Sequence, residues 1–124
     1  MTSHVIFVVD DDASVRTAVR RLLLSLRLPI QLFASAEQFL SSTERGARGC
    51  LILDVRLPGM DGLQLQQHLA EQEWTLPIIF ITAHEEDELC DAAVRRGAVT
   101  YLRKPFDRER LLASVHDALG RAGA

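Results

Sequence analysis

Five short runs made almost wholly of apolar, mostly β-branched residues recur along this chain, at residues 5–9, 30–33, 50–55, 78–81 and 99–102. A strand that is apolar at every position has no side left for water. Such strands belong to a parallel sheet covered on both faces. The intervals between them carry helical periodicity. After the first run, Val15, Ala18, Val19, Leu22, Leu23 and Leu26 fall on one apolar stripe. Ser35 with Gln38 has the spacing of a capping box ahead of Phe39 and Leu40. Asp61-Gly62 should open a third helix, on which Leu65 and Leu69 share a face. A fourth, over about residues 85–96, should end at Gly97, a natural left-handed position. Asp107 can cap a last helix that buries Leu112, Val115 and Leu119.

This alternation predicts an α/β fold: a (βα)5 doubly wound, five-stranded parallel sheet with right-handed crossovers. No linker or repeat interrupts it, so residues 1–120 read as one domain and 121–124 as a tail or linker stub. The formal net charge of −3 argues against this segment gripping nucleic acid itself. Cys50 and Cys90, in apolar surroundings and without paired spacing, read as reduced buried thiols. There is no secretory leader pattern, and no apolar run nears the roughly 18–20 residues of a membrane span. The expected location is the cytoplasm.

In open α/β sheets, ligands bind beyond the carboxyl ends of the strands. Here the first strand runs into Asp10-Asp11-Asp12, the third ends at Asp54, the fourth at Thr82, and the fifth leads into Lys104-Pro105. Clustered carboxylates repel one another, and burial makes their charge costlier. A hard divalent cation relieves both, and Mg²⁺ readily accepts a phosphoryl oxygen as a further ligand. A lysine and a hydroxyl beside it complete what phosphoryl transfer needs, which is mostly positioning and charge neutralisation. Asp54, on the central strand, is the best-placed nucleophile. Taken singly, each residue has a plainer role: Asp12 is suited to cap the helix that follows it.

The ordered motifs Val8-Val9-Asp10-Asp11, Leu53 through Gly62, Ile81-Thr82-Ala83, Gly97-Ala98 and Tyr101 through Phe106 resemble the receiver domain of two-component response regulators, over almost the whole chain. The resemblance implies the flavodoxin-like, CheY-like strand order 2-1-3-4-5. It implies phosphorylation of Asp54 by a cognate sensor histidine kinase, with Mg²⁺ (or Mn²⁺) held by Asp11, Asp54 and the backbone carbonyl of Arg56, and by Asp10 through water. Lys104 would contact the phosphoryl oxygens and, before phosphorylation, pair with the acids. Thr82 and Tyr101 would form the switch, the Lys104-Pro105 peptide would be cis, and Arg56 and His84 would tune the lifetime of the acyl phosphate. On this reading the domain is no enzyme beyond its own phosphorylation and dephosphorylation.

Asp12 together with Arg56 and His84 is most similar to the FixJ/NarL-type regulators. That likeness implies a phosphorylation-dependent homodimer through the fourth helix and fifth strand, and transcription regulation through a DNA-binding output domain absent here. No membrane partner is expected. His4, His68 and His116 lack ligand spacing, and Trp74 reads as a packing anchor. Two other chemistries fit less well. A haloacid-dehalogenase-like phosphohydrolase needs a second acid where Arg56 stands, and a flavodoxin would not place acids in its phosphate loop. A receiver that signals without phosphate usually lacks an acid or the lysine, and this chain keeps them all.

Overall fold

A computed structural model describes residues 4–83 and 86–122 of the chain. In chain order it contains β1 (Val5–Val9), α1 (Ala13–Leu23) with a short 3₁₀ turn at Leu24–Leu26, β2 (Ile30–Phe33), α2 (Ala36–Ser42), β3 (Gly49–Asp54), α3 (Gly62–Glu71), β4 (Ile78–Thr82), α4 (Asp87–Arg95), β5 (Thr100–Arg103) and α5 (Arg108–Ala122). The five strands form one parallel sheet in the order β2-β1-β3-β4-β5. Fold class and strand order are as the sequence implied.

The two sides of the sheet are filled differently. Phe7, Phe33, Phe39, Trp74 and Phe80 gather on one side with Leu51, Leu53, Leu65 and Leu69, under α2, α3 and α4. Phe39 is the hub: its ring centroid lies 5.4 Å from Phe7, 5.5 Å from Phe33 and 5.6 Å from the stacked Trp74. Trp74 also donates from Nε1 to the Ala47 carbonyl at 3.0 Å, which makes it the anchor expected. The other side, under α1 and α5, is aliphatic, with Ile6, Val8, Ile52, Ile79 and Ile81 against Val19, Leu23, Leu111 and Val115. The period-two alternation of a strand splits each buried run between the two layers. Both cysteines are buried free thiols, Cys50 on the aliphatic side and Cys90 on the aromatic one.

Several local expectations shift by a residue or a face. β3 begins at Gly49 and β5 at Thr100, one residue away from the ends of the apolar runs. Ala18 is exposed, because Val19 and Leu23 take the centre of the α1 stripe. On α5 the buried line is Leu111, Val115 and Ala118, leaving Leu112 and Leu119 half-buried. The side chain of Ala118 is small enough for the helix to lie close against the sheet. That helix passes through Gly120 to Ala122, so the first two residues of the expected tail continue the last helix, and residues 123 and 124 lie outside the described residues; Arg121 pairs with Asp117 at 3.5 Å.

The caps set where each helix leaves the rim. Asp12 caps α1 by accepting from the Ser14 N–H at 2.8 Å, and Asp107 caps α5 by accepting from the Arg110 N–H at 2.7 Å. Ser35 accepts from the Gln38 N–H, but the Gln38 amide turns to the Ala34 N–H, outside a closed capping box. The closed box is at α3, between Asp61 and Gln64. Gly97 is left-handed at φ 113°, as its place after α4 suggested. Gly62 matters for a steric reason: a Cβ there would lie 2.3 Å from the Asp54 carbonyl oxygen. The bare backbone lets α3 start directly against the end of β3. Gly62→Ala should therefore lower unfolding free energy by about 1–3 kcal/mol, the usual range for an overpacked site. Urea denaturation at constant slope checks this, and an unchanged midpoint would remove the close approach as a constraint.

Candidate functional site

Parallel register brings residues far apart in sequence to one rim. Val9 pairs with Leu53, Asp54 with Ile81, and Thr82 with Arg103. Asp10 thus follows β1, Asp54 and Thr82 close β3 and β4, and Lys104 follows β5, all at the carboxyl edge. Carboxylate oxygens of Asp10, Asp11 and Asp54 lie within 4.8 Å of one another. Among the described residues no other group of three potential metal ligands converges in this way.

Each acid sits differently. Asp10 is wholly buried and uses both oxygens: Oδ2 accepts from Lys104 Nζ at 2.7 Å, and Oδ1 from the Asp12 N–H at 2.9 Å. Its backbone carbonyl accepts from Arg16 at 2.6 Å. Asp54 accepts from the Arg56 N–H at 3.0 Å and from Lys104 Nζ at 3.1 Å. Asp11 is exposed at the mouth of the cluster. Burial first, and then the charge of Asp10, push the Asp54 carboxyl up to about 6, against the hydrogen bonds that favour its ionised form. Burial works against the charge of Lys104, but the Asp10 hydrogen bond and the two carboxylates outweigh it and hold its pKa above the usual lysine value.

One ammonium facing three carboxylates leaves a negative excess at the rim. The donors are hard oxygens, the set that suits Mg²⁺ or Mn²⁺ and not a thiolate-seeking metal. The fit of such an ion to this cluster is chemical as well as spatial. Lys104 is fixed from its own backbone too: its N–H donates to the Thr82 carbonyl at 2.8 Å, and the Lys104-Pro105 peptide is cis, as expected.

Thr82 is buried beside this cluster. Tyr101 stands apart, half-buried, its hydroxyl donating to Asp87 Oδ1 at 3.3 Å. Arg103 also bonds Asp87, and this holds the Asp87 carboxyl below the usual range. Arg56 projects outward and pairs with Glu86, whose side chain is only 7% exposed. His84 lies outside the described residues. The structure thus brings Asp10, Asp11, Asp54 and Lys104 together, with Thr82 at the adjacent strand end, and ties Tyr101 and Arg56 to the start of α4.

Sequence reasoning missed Glu86 and Asp87, because the run Glu85 to Glu88 has the composition of any helix N-terminus. It also missed Glu37, which accepts from the Met60 N–H at 3.0 Å and braces the loop after β3. Nothing in the spacing of residues 37 and 60 signals that contact.

The family described as response regulator receiver domain matches residues 6–116. The response regulator protein TodT of Pseudomonas putida is 44% identical over 117 residues, which is 94% of this chain and 52% of that protein. The transcriptional regulatory protein FixJ of Bradyrhizobium diazoefficiens is 38% identical over 117 residues, 94% of this chain and 57% of that protein. The chain spans about half the length of the curated relatives it matches. Among solved structures, the response regulator StyR superposes with TM-score 0.91 at 38% identity, covering 98% of this chain and 62% of that one. Full-length FixJ from B. japonicum gives TM-score 0.86 at 36% identity, covering 98% and 60%.

The charge excess has a thermodynamic consequence. An acid with a raised pKa binds more protons folded than unfolded, so its stability contribution is fully present below the unfolded value and lost as pH rises through the folded one. For Asp54 that window runs from 3.8 to about 6. In chelator, Asp54→Asn should stabilise the fold above pH 6 by about 1–3 kcal/mol, and the gain should vanish towards pH 4. Urea melts of both proteins across that range check the sign; a gain that grows on acidification would refute it.

Proposed function

We propose that this chain, which belongs to the response regulator receiver domain family, takes a phosphoryl group from a sensor histidine kinase onto Asp54, with Mg²⁺, and uses it to switch the face formed by α4 and β5. The observation that carries this reading is the convergence of Asp10, Asp11 and Asp54, with the ammonium of Lys104 bonded to Asp10 and Asp54.

An Asp54 carboxylate oxygen attacks phosphorus in line; the phosphorus–nitrogen bond of the donor phosphohistidine breaks, and the imidazole leaves. Asp11 and Asp54, with the Arg56 carbonyl, would hold the divalent ion, which supplies charge neutralisation for the phosphoryl oxygens. Asp10 has both oxygens engaged, which suits it to an indirect part, through water or through its grip on Lys104. Lys104, already between two carboxylates, needs only to exchange one anionic partner for another. The chemistry is self-modification and its reversal, with no small-molecule turnover.

The acyl phosphate adds about −1.5 to −2 charge at neutral pH. Thr82 offers its hydroxyl to that group, and the movement leaves space for Tyr101 to turn inward, away from Asp87. The surface that would respond carries exposed Leu89 and Val94 on α4, suited to a second copy of the chain. Control of transcription would pass through a DNA-binding domain in a longer protein, in keeping with relatives about twice this length. No helix among the described residues is long and apolar enough to cross a membrane, which fits work in the cytoplasm.

Incubation with acetyl phosphate and Mg²⁺ should give one phosphoryl adduct by intact mass, abolished in Asp54→Asn. An adduct of equal yield in both proteins would mean another acceptor. Beryllofluoride with Mg²⁺ should double the mass seen by light scattering; a persistent monomer would remove the dimer while leaving the acceptor in place.

A further inference from the structure

Beside the acceptor, one ion pair ties two loops together. Arg56 extends from the loop after β3, and its backbone N–H already bonds Asp54. Its guanidinium pairs through Nε with Oε1 of Glu86, the residue just before α4. The two partners have unequal alternatives. Arg56 is 67% exposed and has water as a substitute; Glu86 is 7% exposed, and its second oxygen, Oε2, is buried with no hydrogen-bond partner. A buried carboxylate with one oxygen unpaired depends on the guanidinium it is paired with.

We propose that Glu86 is a positioning residue that holds Arg56 away from Asp54, so that Glu86 and a phosphoryl group on Asp54 compete for the same guanidinium. The proposal rests on Asp54 being the phosphoacceptor and adds a second consequence of phosphorylation. Arginine binds phosphoryl oxygens through a planar fork of donors, and Arg56 is anchored two residues from the acceptor. If Arg56 moves to the phosphoryl group, Glu86 is left as an unpaired buried charge at the first residue before α4. The start of that helix must then rearrange to hydrate it. Acceptor and helix are coupled through one side chain, and the coupling is reciprocal: weakening Glu86's hold strengthens Arg56's hold on the phosphoryl group.

The test is a double-mutant cycle on the decay of the phosphorylated protein, followed by intact mass after removal of acetyl phosphate. Glu86→Gln keeps the shape and removes the charge. It should lengthen the phosphoryl half-life roughly five- to tenfold, the lower end of the usual range for a coupling between two sites, because Arg56 is freed to cover the acyl phosphate. Glu86→Asp, with the carboxylate drawn back by one methylene, should fall in between, and it serves if the glutamine variant folds poorly. In an Arg56→Ala background neither change should alter the half-life. No lengthening by Glu86→Gln in the protein that keeps Arg56, or an equal lengthening with and without Arg56, would overturn the proposal. Failure of every variant to take up phosphate would instead count against Asp54 as acceptor.

Discussion

Lys104 holds its ammonium between the carboxylates of Asp10 and Asp54, which come from 94 and 50 residues away in the chain. Three acids at one rim is an arrangement that a fold must be forced to accept. The force comes from elsewhere: a sheet whose central strand is buried at every position and whose two sides are each sealed by a contiguous apolar cluster. Burial of that size fixes the register, and the register leaves Asp10, Asp54, Thr82 and Lys104 no choice about where they end. The polar rim is stabilised less by its own contacts than by the apolar layers that hold it in place.

The layers do not hold all elements equally. α1 and α5 pack on the aliphatic side through Val19, Leu23, Leu111, Val115 and Ala118, all fully buried. α4 buries only Cys90 and Ala93, while Leu89 and Val94 face outward. What ties it down is largely polar: Arg56 to Glu86, Tyr101 and Arg103 to Asp87, and the Gln66 amide to the Ala93 carbonyl at 2.9 Å, with the other Gln66 atom, Oε1, buried and unpartnered. Apolar packing is lost only by opening a cavity, whereas a polar tie can exchange one partner for another at small net cost. A helix held by exchangeable ties beside a rim held by an unyielding core is the arrangement a local charge change can act on.

Much of this was legible in the chain itself. Fully apolar runs with helical intervals specify a parallel doubly wound sheet, and once that is granted, the residues at or just past the carboxyl end of each run must lie at the rim. That logic places Asp10, Asp54, Thr82 and Lys104 without coordinates. It cannot find Glu86, Asp87 or Glu37, because their partners depend on the path of loops, which no periodicity encodes. It also turns α5 slightly: a stripe of Leu112, Val115 and Leu119 and one of Leu111, Val115 and Ala118 fit helical periodicity equally well, and only close approach to the sheet chooses the line with the smaller residue.

The charge balance of the rim links its chemistry to its conformation. Even with Lys104 as the ammonium at its centre the site is too negative, and burial first, then the charge of Asp10, hold the Asp54 carboxyl up at about 6. Replacing a carboxylate by an acyl phosphate makes that excess larger, since one negative charge gives way to about 1.5 to 2. A site in balance could absorb the new group without response. A site in deficit must draw in positive charge or give up contacts, and the guanidinium nearest the acceptor along the chain, Arg56, is already committed to Glu86. On the phosphoacceptor reading, the unfavourable electrostatics of the resting state are therefore part of what makes the domain responsive, because drawing Arg56 to the rim releases a tie that holds α4.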